Sequence, residues 1–140
     1  MKKKKVLVDM SATLIHHGHI RILKKAYLLG NVYVGLSTDN DVKKYKGYFP
    51  ELNFRQRKEI IESIKYVKKV IKVNYHVTDF DLKKNKIDIL IHGNDFNNHL
   101  KKKKFIVFRR TKNISSTILR KKAAKIIKLK NNEQIRKKLV

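Results

Sequence analysis

Cysteine is absent from this chain, which excludes a disulfide framework, a zinc–thiolate site and a thiol nucleophile, and gives secretion no support. Proline occurs once, at Pro50. Long apolar runs are missing too: after the basic start Met1-Lys2-Lys3-Lys4-Lys5, only Val6-Leu7-Val8 precede Asp9, too few for a signal-peptide core or a membrane span. The expectation is a soluble, cytoplasmic protein with no membrane partner. Acidic residues are scarce, 11 against 36 Lys+Arg, for a formal charge of +25. Such a surface binds polyanions non-specifically at low salt. The lysines, however, are spread along the chain among many Ile and Asn, as a compositional bias would leave them. Arginine is sparse beside lysine, and no nucleic-acid-binding motif is present. No specific nucleic-acid partner is expected; the positive field instead favours a nucleotide and a phosphorylated substrate.

With 140 residues, 41% of them hydrophobic, the chain suffices for one compact domain with a core of its own. We expect that domain over 1–130 and a basic tail over 131–140. The run Val6-Leu7-Val8 reads as a strand from about Lys5 to Met10 covered on both faces. Ile20, Leu23 and Tyr27 form a helical stripe ended by Gly30-Asn31. Val32 to Leu36 is a second strand, giving a strand–helix–strand unit with parallel strands. Asp41 to Asn53 has little periodicity and reads as a mobile loop. A helix is expected over Phe54 to Val67, then a short strand over Val70 to Val73, a helix near Thr78 to Asn85, and a central strand at Ile87 to His92. Phe105 to Phe108 is the last strand, and Ile114-Ser115-Ser116-Thr117 opens a final helix whose end past Leu129 frays. The fold class is therefore α/β, a Rossmann-like parallel sheet of about five strands with helices on both faces.

The stretches with chemical character fall at the C-terminal ends of these strands, where open parallel sheets bind ligands. His16-His17-Gly18-His19 opens a helix after the first strand: two imidazoles can donate to phosphate oxygens, the glycine permits close approach to the backbone, and a helix start offers unpaired N–H groups. Ser37-Thr38-Asp39 ends the second strand, and Gly93-Asn94-Asp95-Phe96 follows the fourth. Arg57 stands near a helix start, where a cation opposes the macrodipole and so points to a ligand anion. His76 and His99 lie in no motif and read as surface residues.

Over roughly Lys4 to Arg120 the chain resembles the cytidylyltransferases typified by glycerol-3-phosphate cytidylyltransferase, within the H-x-G-H nucleotidyltransferase superfamily. His16-His17-Gly18-His19 matches H-x-G-H, Ser37-Thr38-Asp39 matches S-T-D, and Lys46-Gly47 and Arg57 match a loop lysine-glycine and an arginine before a hydrophobic helix. His92 to Phe96 is similar to G-D-D-W, and Arg110 to Thr117 to R-T-x-G-I-S-[ST]-T, the most specific of the set. Met10-Ser11-Ala12-Thr13 departs from the commoner G-T-F-D and looks more like the M-S-A-D start of phosphonate-associated domains. Thr13 and Asn94 stand where the family has aspartates, Phe96 where it has tryptophan, and Asn113 where it has glycine, a mild change because asparagine tolerates the left-handed conformation.

The resemblance implies transfer of CMP from CTP to a small phosphorylated alcohol or phosphonate, with pyrophosphate released. It implies catalytic roles for His16, His19, Lys46 and Arg110. Nucleotide contacts fall to Met10, Ser11, His16, His19, Asp95, Arg110, Ile114, Ser115, Ser116 and Thr117, and acceptor contacts to Lys46 and Arg57. Mg²⁺ would be held mainly through the CTP phosphates with no dedicated protein metal site, and a homodimer is implied. Two alternatives stand beside this reading: an adenylyltransferase of the same superfamily using ATP, and a basic nucleotide- or nucleic-acid-binding protein with impaired catalysis.

Overall fold

A computed structural model describes residues 2–93 and 105–139. Among these residues five strands form one sheet: β1 (Lys5–Met10), β2 (Asn31–Ser37), β3 (Val67–Val73), β4 (Ile89–Gly93) and β5 (Phe105–Phe108). Their order is β3-β2-β1-β4-β5, and every pairing is parallel. Among the described residues five helices accompany them: α1 (His17–Tyr27), α2 (Asp39–Lys46), α3 (Phe54–Glu62), α4 (Asp79–Lys84) and α5 (Ser116–Leu139). This is the expected Rossmann-like α/β architecture.

Alternation along the strands builds two cores. Val6 and Val8 join Val32, Val34, Ile89 and Ile91 on one face, where Leu23 and Ala26 of α1 and Ile61 of α3 cover them. Leu7 and Leu90 point the other way, toward Val73, Val77 and Leu82. The continuous run in β1 is thus apolar because both of its faces are covered. Val6, Leu7 and Val8 are fully buried, each side chain contributing on the order of 1.5–3 kcal/mol. β1 is the middle strand; β4, expected as the central one, is interior but one place off centre.

Three expectations need correcting. The segment read as a loop over Asp41 to Asn53 holds α2, with Thr38 Oγ1 accepting from Asp41 N at 3.1 Å, Asp39 and Asp41 in the first turn, and Gly47 closing the end at φ 83°. Only Val42 of that helix is buried, so it carries caps but no apolar stripe. The helix expected to reach Val67 stops at Glu62, and Val67 instead begins β3, opposite Val32. The final helix continues to Leu139, although none of its residues is buried.

Candidate active site

Strand order reverses between β1 and β4, and in such sheets the crevice at the carboxyl ends of the two strands is where ligands bind. A cavity of about 1160 Å³ opens there. The end of β1 brings Asp9, Met10 and Ser11 to it, β2 brings Ser37, β4 brings His92 and Gly93, and the segment after β5 brings Arg109, Arg110 and Thr111. The starts of α1 and α5 and the last residue of α2, Lys46, complete the wall.

At the start of α1 the two motif histidines cap each other's turn. His16 is the N-cap; its Nδ1 accepts from Gly18 N at 3.1 Å, while His19 Nδ1 accepts from His16 N at 3.1 Å. An imidazole nitrogen that accepts carries no proton, so the proton of each neutral ring sits on Nε2. Burial, then the neighbouring His17 and Arg110, lower the His16 pKa. Burial, then His16, Lys46 and Arg110, push His19 down to about 3. Both rings are therefore neutral donors at pH 7, and the cations acting on His19 are Lys46 and Arg110, with Arg21, Lys24, Lys25 and Arg109 also in the cavity wall. Gly18 also has a steric reason within the protein: a Cβ there would lie 2.8 Å from His16 Cε1 and 2.9 Å from His16 Nδ1. The residue must be glycine so that the His16 ring can fold back over the helix start.

The α5 start is similarly built. Ser115 Oγ accepts from Ile118 N at 3.0 Å, so Ser115 is an N-cap. The Ser116 hydroxyl donates to Leu14 O at 3.1 Å and accepts from Leu14 N at 3.3 Å. The Ser116 hydroxyl is thus spent on protein in both directions, whereas Ser115 only accepts, so its O–H, the backbone N–H groups and Thr117 are left to face an anion. Just before, Asn113 sits at φ 61°, the left-handed region that its glycine counterpart in the resembled motif would occupy freely.

Most of the expected site residues meet here: Met10, Ser11, His16, His19, Lys46, Arg110, Ile114, Ser115, Ser116 and Thr117 all line the cavity. Asp95, with Asn94, Phe96 and His99, lies outside the described residues. Arg57 is a correction: it is absent from the cavity wall and fully buried. Its Nε donates to Leu52 O at 3.1 Å, Nη1 to Ser11 O at 2.6 Å, and Nη2 to Ser37 O at 3.0 Å and to Asp39 Oδ1 at 2.7 Å. The anion its placement called for is Asp39, not a ligand. Arg57 ties the ends of β1 and β2 to the segment before α3, and the S-T-D stretch is largely structural, with Thr38 capping α2 and Asp39 holding Arg57.

Two groups were not legible from motifs. Asp9 Oδ1 meets His92 Nδ1 at 2.5 Å across the β1–β4 crevice, and Asp9 is the one carboxylate among the described residues of the cavity wall. Only the pairing of β1 with β4 brings these residues together, 83 positions apart in sequence. His76 is exposed, as expected, and also lines the cavity with Tyr75, which stacks on Tyr45 at 4.5 Å between ring centroids. Among the described residues no group of three or more His, Asp or Glu is placed to hold a metal ion, and no helix is long and apolar enough to cross a membrane.

Residues 11–122 match the model of the family described as Cytidylyltransferase-like. Glycerol-3-phosphate cytidylyltransferase of Staphylococcus aureus is 34% identical over 122 residues, covering 81% of this chain and 90% of that enzyme. Its Bacillus subtilis counterpart is 34% identical over 129 residues, 86% of this chain and 98% of the relative. Ethanolamine-phosphate cytidylyltransferase of Mus musculus is 32% identical over 93 residues, 65% of this chain but only 23% of that longer protein. A solved structure titled lipopolysaccharide core biosynthesis protein, from Thermoplasma volcanium GSS1, shares the fold at a TM-score of 0.64 and 21% identity, over 80% of this chain and 99% of that one.

Proposed function

This chain belongs to the cytidylyltransferase-like family, and on that premise we propose that it transfers CMP from CTP to a small phosphorylated alcohol or a phosphonate. An acceptor oxygen attacks the α-phosphorus in line. The new P–O bond forms as the bond to the β-phosphate oxygen breaks, and pyrophosphate leaves with that electron pair. No covalent enzyme intermediate is needed, so the protein positions groups and stabilises charge.

The observation that carries the reading is the interlocked His16–His19 pair, whose Nδ1 atoms are both occupied by backbone N–H groups. Each ring offers an Nε2–H in fixed orientation to oxygens of the transferring phosphate, and neither needs to change protonation. Lys46 and Arg110, both in the cavity wall and both acting on His19, supply positive charge for acceptor and leaving group. The backbone at the start of α5, with Thr117, receives the β- and γ-phosphates. Met10, Ser11 and Ile114 border the nucleotide, and Asp95 belongs to the same set by resemblance. With one carboxylate in the described wall, and that one engaged by His92, the donor set suits a Mg²⁺ ion that arrives on the triphosphate, where it would neutralise phosphate charge. A homodimer is part of the same reading, and light scattering tests it.

Purified protein incubated with CTP, Mg²⁺ and a panel of glycerol 3-phosphate, ethanolamine phosphate and small phosphonates should release pyrophosphate with at least one acceptor. Silence across the panel, with a control enzyme active, overturns the reading. Thermal-shift titration separates it from the ATP-using alternative: CTP should stabilise the protein at lower concentration than ATP.

A further inference from the structure

The wall of the cavity is held differently from the core beneath it. The β1–α1 loop and the start of α5 together make the phosphate end of the site, yet no residue of α5 is buried. Among the described residues, none from α5 packs against either apolar cluster. The loop is also strained: Ala12, a non-glycine residue, sits at φ 44°, a conformation that costs about 1–2 kcal/mol. Strain of this kind persists only where neighbouring groups over-determine it. On one side of Ala12, Arg57 grips Ser11 O at 2.6 Å. On the other side, Arg120 Nη2 donates to Thr13 Oγ1 at 2.7 Å.

Arg120 lies one helical turn beyond Ser116, on the same face of α5. Besides Thr13 it holds the segment between α2 and α3: its Nε donates to Glu51 Oε1, its Nη2 to Glu51 Oε2 at 2.7 Å, and its Nη1 to the Tyr48 hydroxyl at 2.9 Å. The guanidinium also stacks over the Tyr48 ring, 4.4 Å from its centroid. Arg120 is absent from the cavity wall, while Ser116, one turn before it, lines the cavity.

We infer that Arg120 is a positioning residue for the triphosphate: its fork, with Glu51 and Tyr48, fastens the α5 start to the β1–α1 loop and so fixes the distance between the two phosphate-binding helix ends. This rests on the proposed CTP-dependent activity. Without the clasp the protein must first order these two segments to bind nucleotide, so the apparent affinity falls by the fraction of molecules correctly arranged. Chemistry in the assembled complex is disturbed much less.

The test is titration calorimetry of the full chain with CTP and Mg²⁺ without acceptor, alongside steady-state kinetics, for wild type, Arg120→Ala, Arg120→Lys and Glu51→Ala. Arg120→Ala should weaken CTP binding and raise KM for CTP by about tenfold while kcat falls less than about threefold, the pattern of lost uniform binding. Lysine should not rescue, because a point charge cannot grip Glu51 with two bonds and stack on Tyr48. Glu51→Ala should reproduce the loss if Arg120→Ala folds poorly, and combining the two should add little. Unchanged CTP affinity in both Arg120→Ala and Glu51→Ala overturns the proposal, as does a loss of kcat equal to the rise in KM. Failure of the wild type to bind CTP overturns it together with its premise.

Discussion

Replacing His19 by asparagine should make the protein resist acid. The His19 pKa is held down to about 3 by burial first, and then by His16, Lys46 and Arg110, whereas in the unfolded chain it returns to about 6.5. Between these values the unfolded state binds one more proton than the folded state, so stability falls as pH falls. From pH 7 to pH 4 the linkage relation gives a loss of about 3 kcal/mol for this one group. Asparagine does not titrate, and its side-chain oxygen can still accept from His16 N. Urea unfolding at pH 7, 6, 5 and 4 gives the stability of each protein, and the difference between the two curves isolates the histidine from the carboxylates. Wild type minus His19→Asn should change by about 3 kcal/mol across that range, in the direction of greater loss for wild type. Parallel curves would refute the reasoning, because they would mean that the His19 ring titrates in the folded protein much as it does in water.

Gly18→Ala should separate stability from activity. Alanine favours a helix by about 1 kcal/mol over glycine, yet its Cβ at 2.8 Å from the His16 ring must displace that ring, so the melting temperature should hold or rise while kcat drops on the order of a hundredfold. Arg57→Met should cost about 3–5 kcal/mol in urea unfolding by leaving Asp39 and three backbone carbonyls without their donor; a loss below about 1 kcal/mol would contradict the strut assignment. EDTA should abolish pyrophosphate release without shifting the melting temperature of the nucleotide-free protein, since the described residues include no metal-holding group.

How far the sequence could be read follows from the range of each signal. β1 and α1 were legible because a run of valine and leucine and a stripe at helical spacing are local and come from burial. α2 was missed because its evidence is in its caps: Thr38, the first-turn aspartates and Gly47 mark both ends of a helix with a single buried residue. α3 was drawn too long because Ile64 and Val67 continue its spacing, although Ile64 packs from the connector and Val67 from β3. Within the site, motif residues were found where the motif names the side chain that lines the cavity. They were misjudged where the side chain turns inward: nothing local distinguishes an Arg57 that binds a ligand from one that binds Ser11 and Ser37, and the Asp9–His92 contact depends wholly on strand order.

The polar fastening of the cavity wall has a consequence for how this protein loses function. Apolar packing gives out only when the sheet and its covering helices separate, but the clasps of Arg120 with Glu51 and of Ser116 with Leu14 lie in reach of solvent and depend on a few hydrogen bonds. The phosphate end of the site can therefore come undone while the sheet is intact. In a urea series, nucleotide binding should fade at concentrations where circular dichroism still reports a folded protein, so the site would be the first part of the molecule to melt.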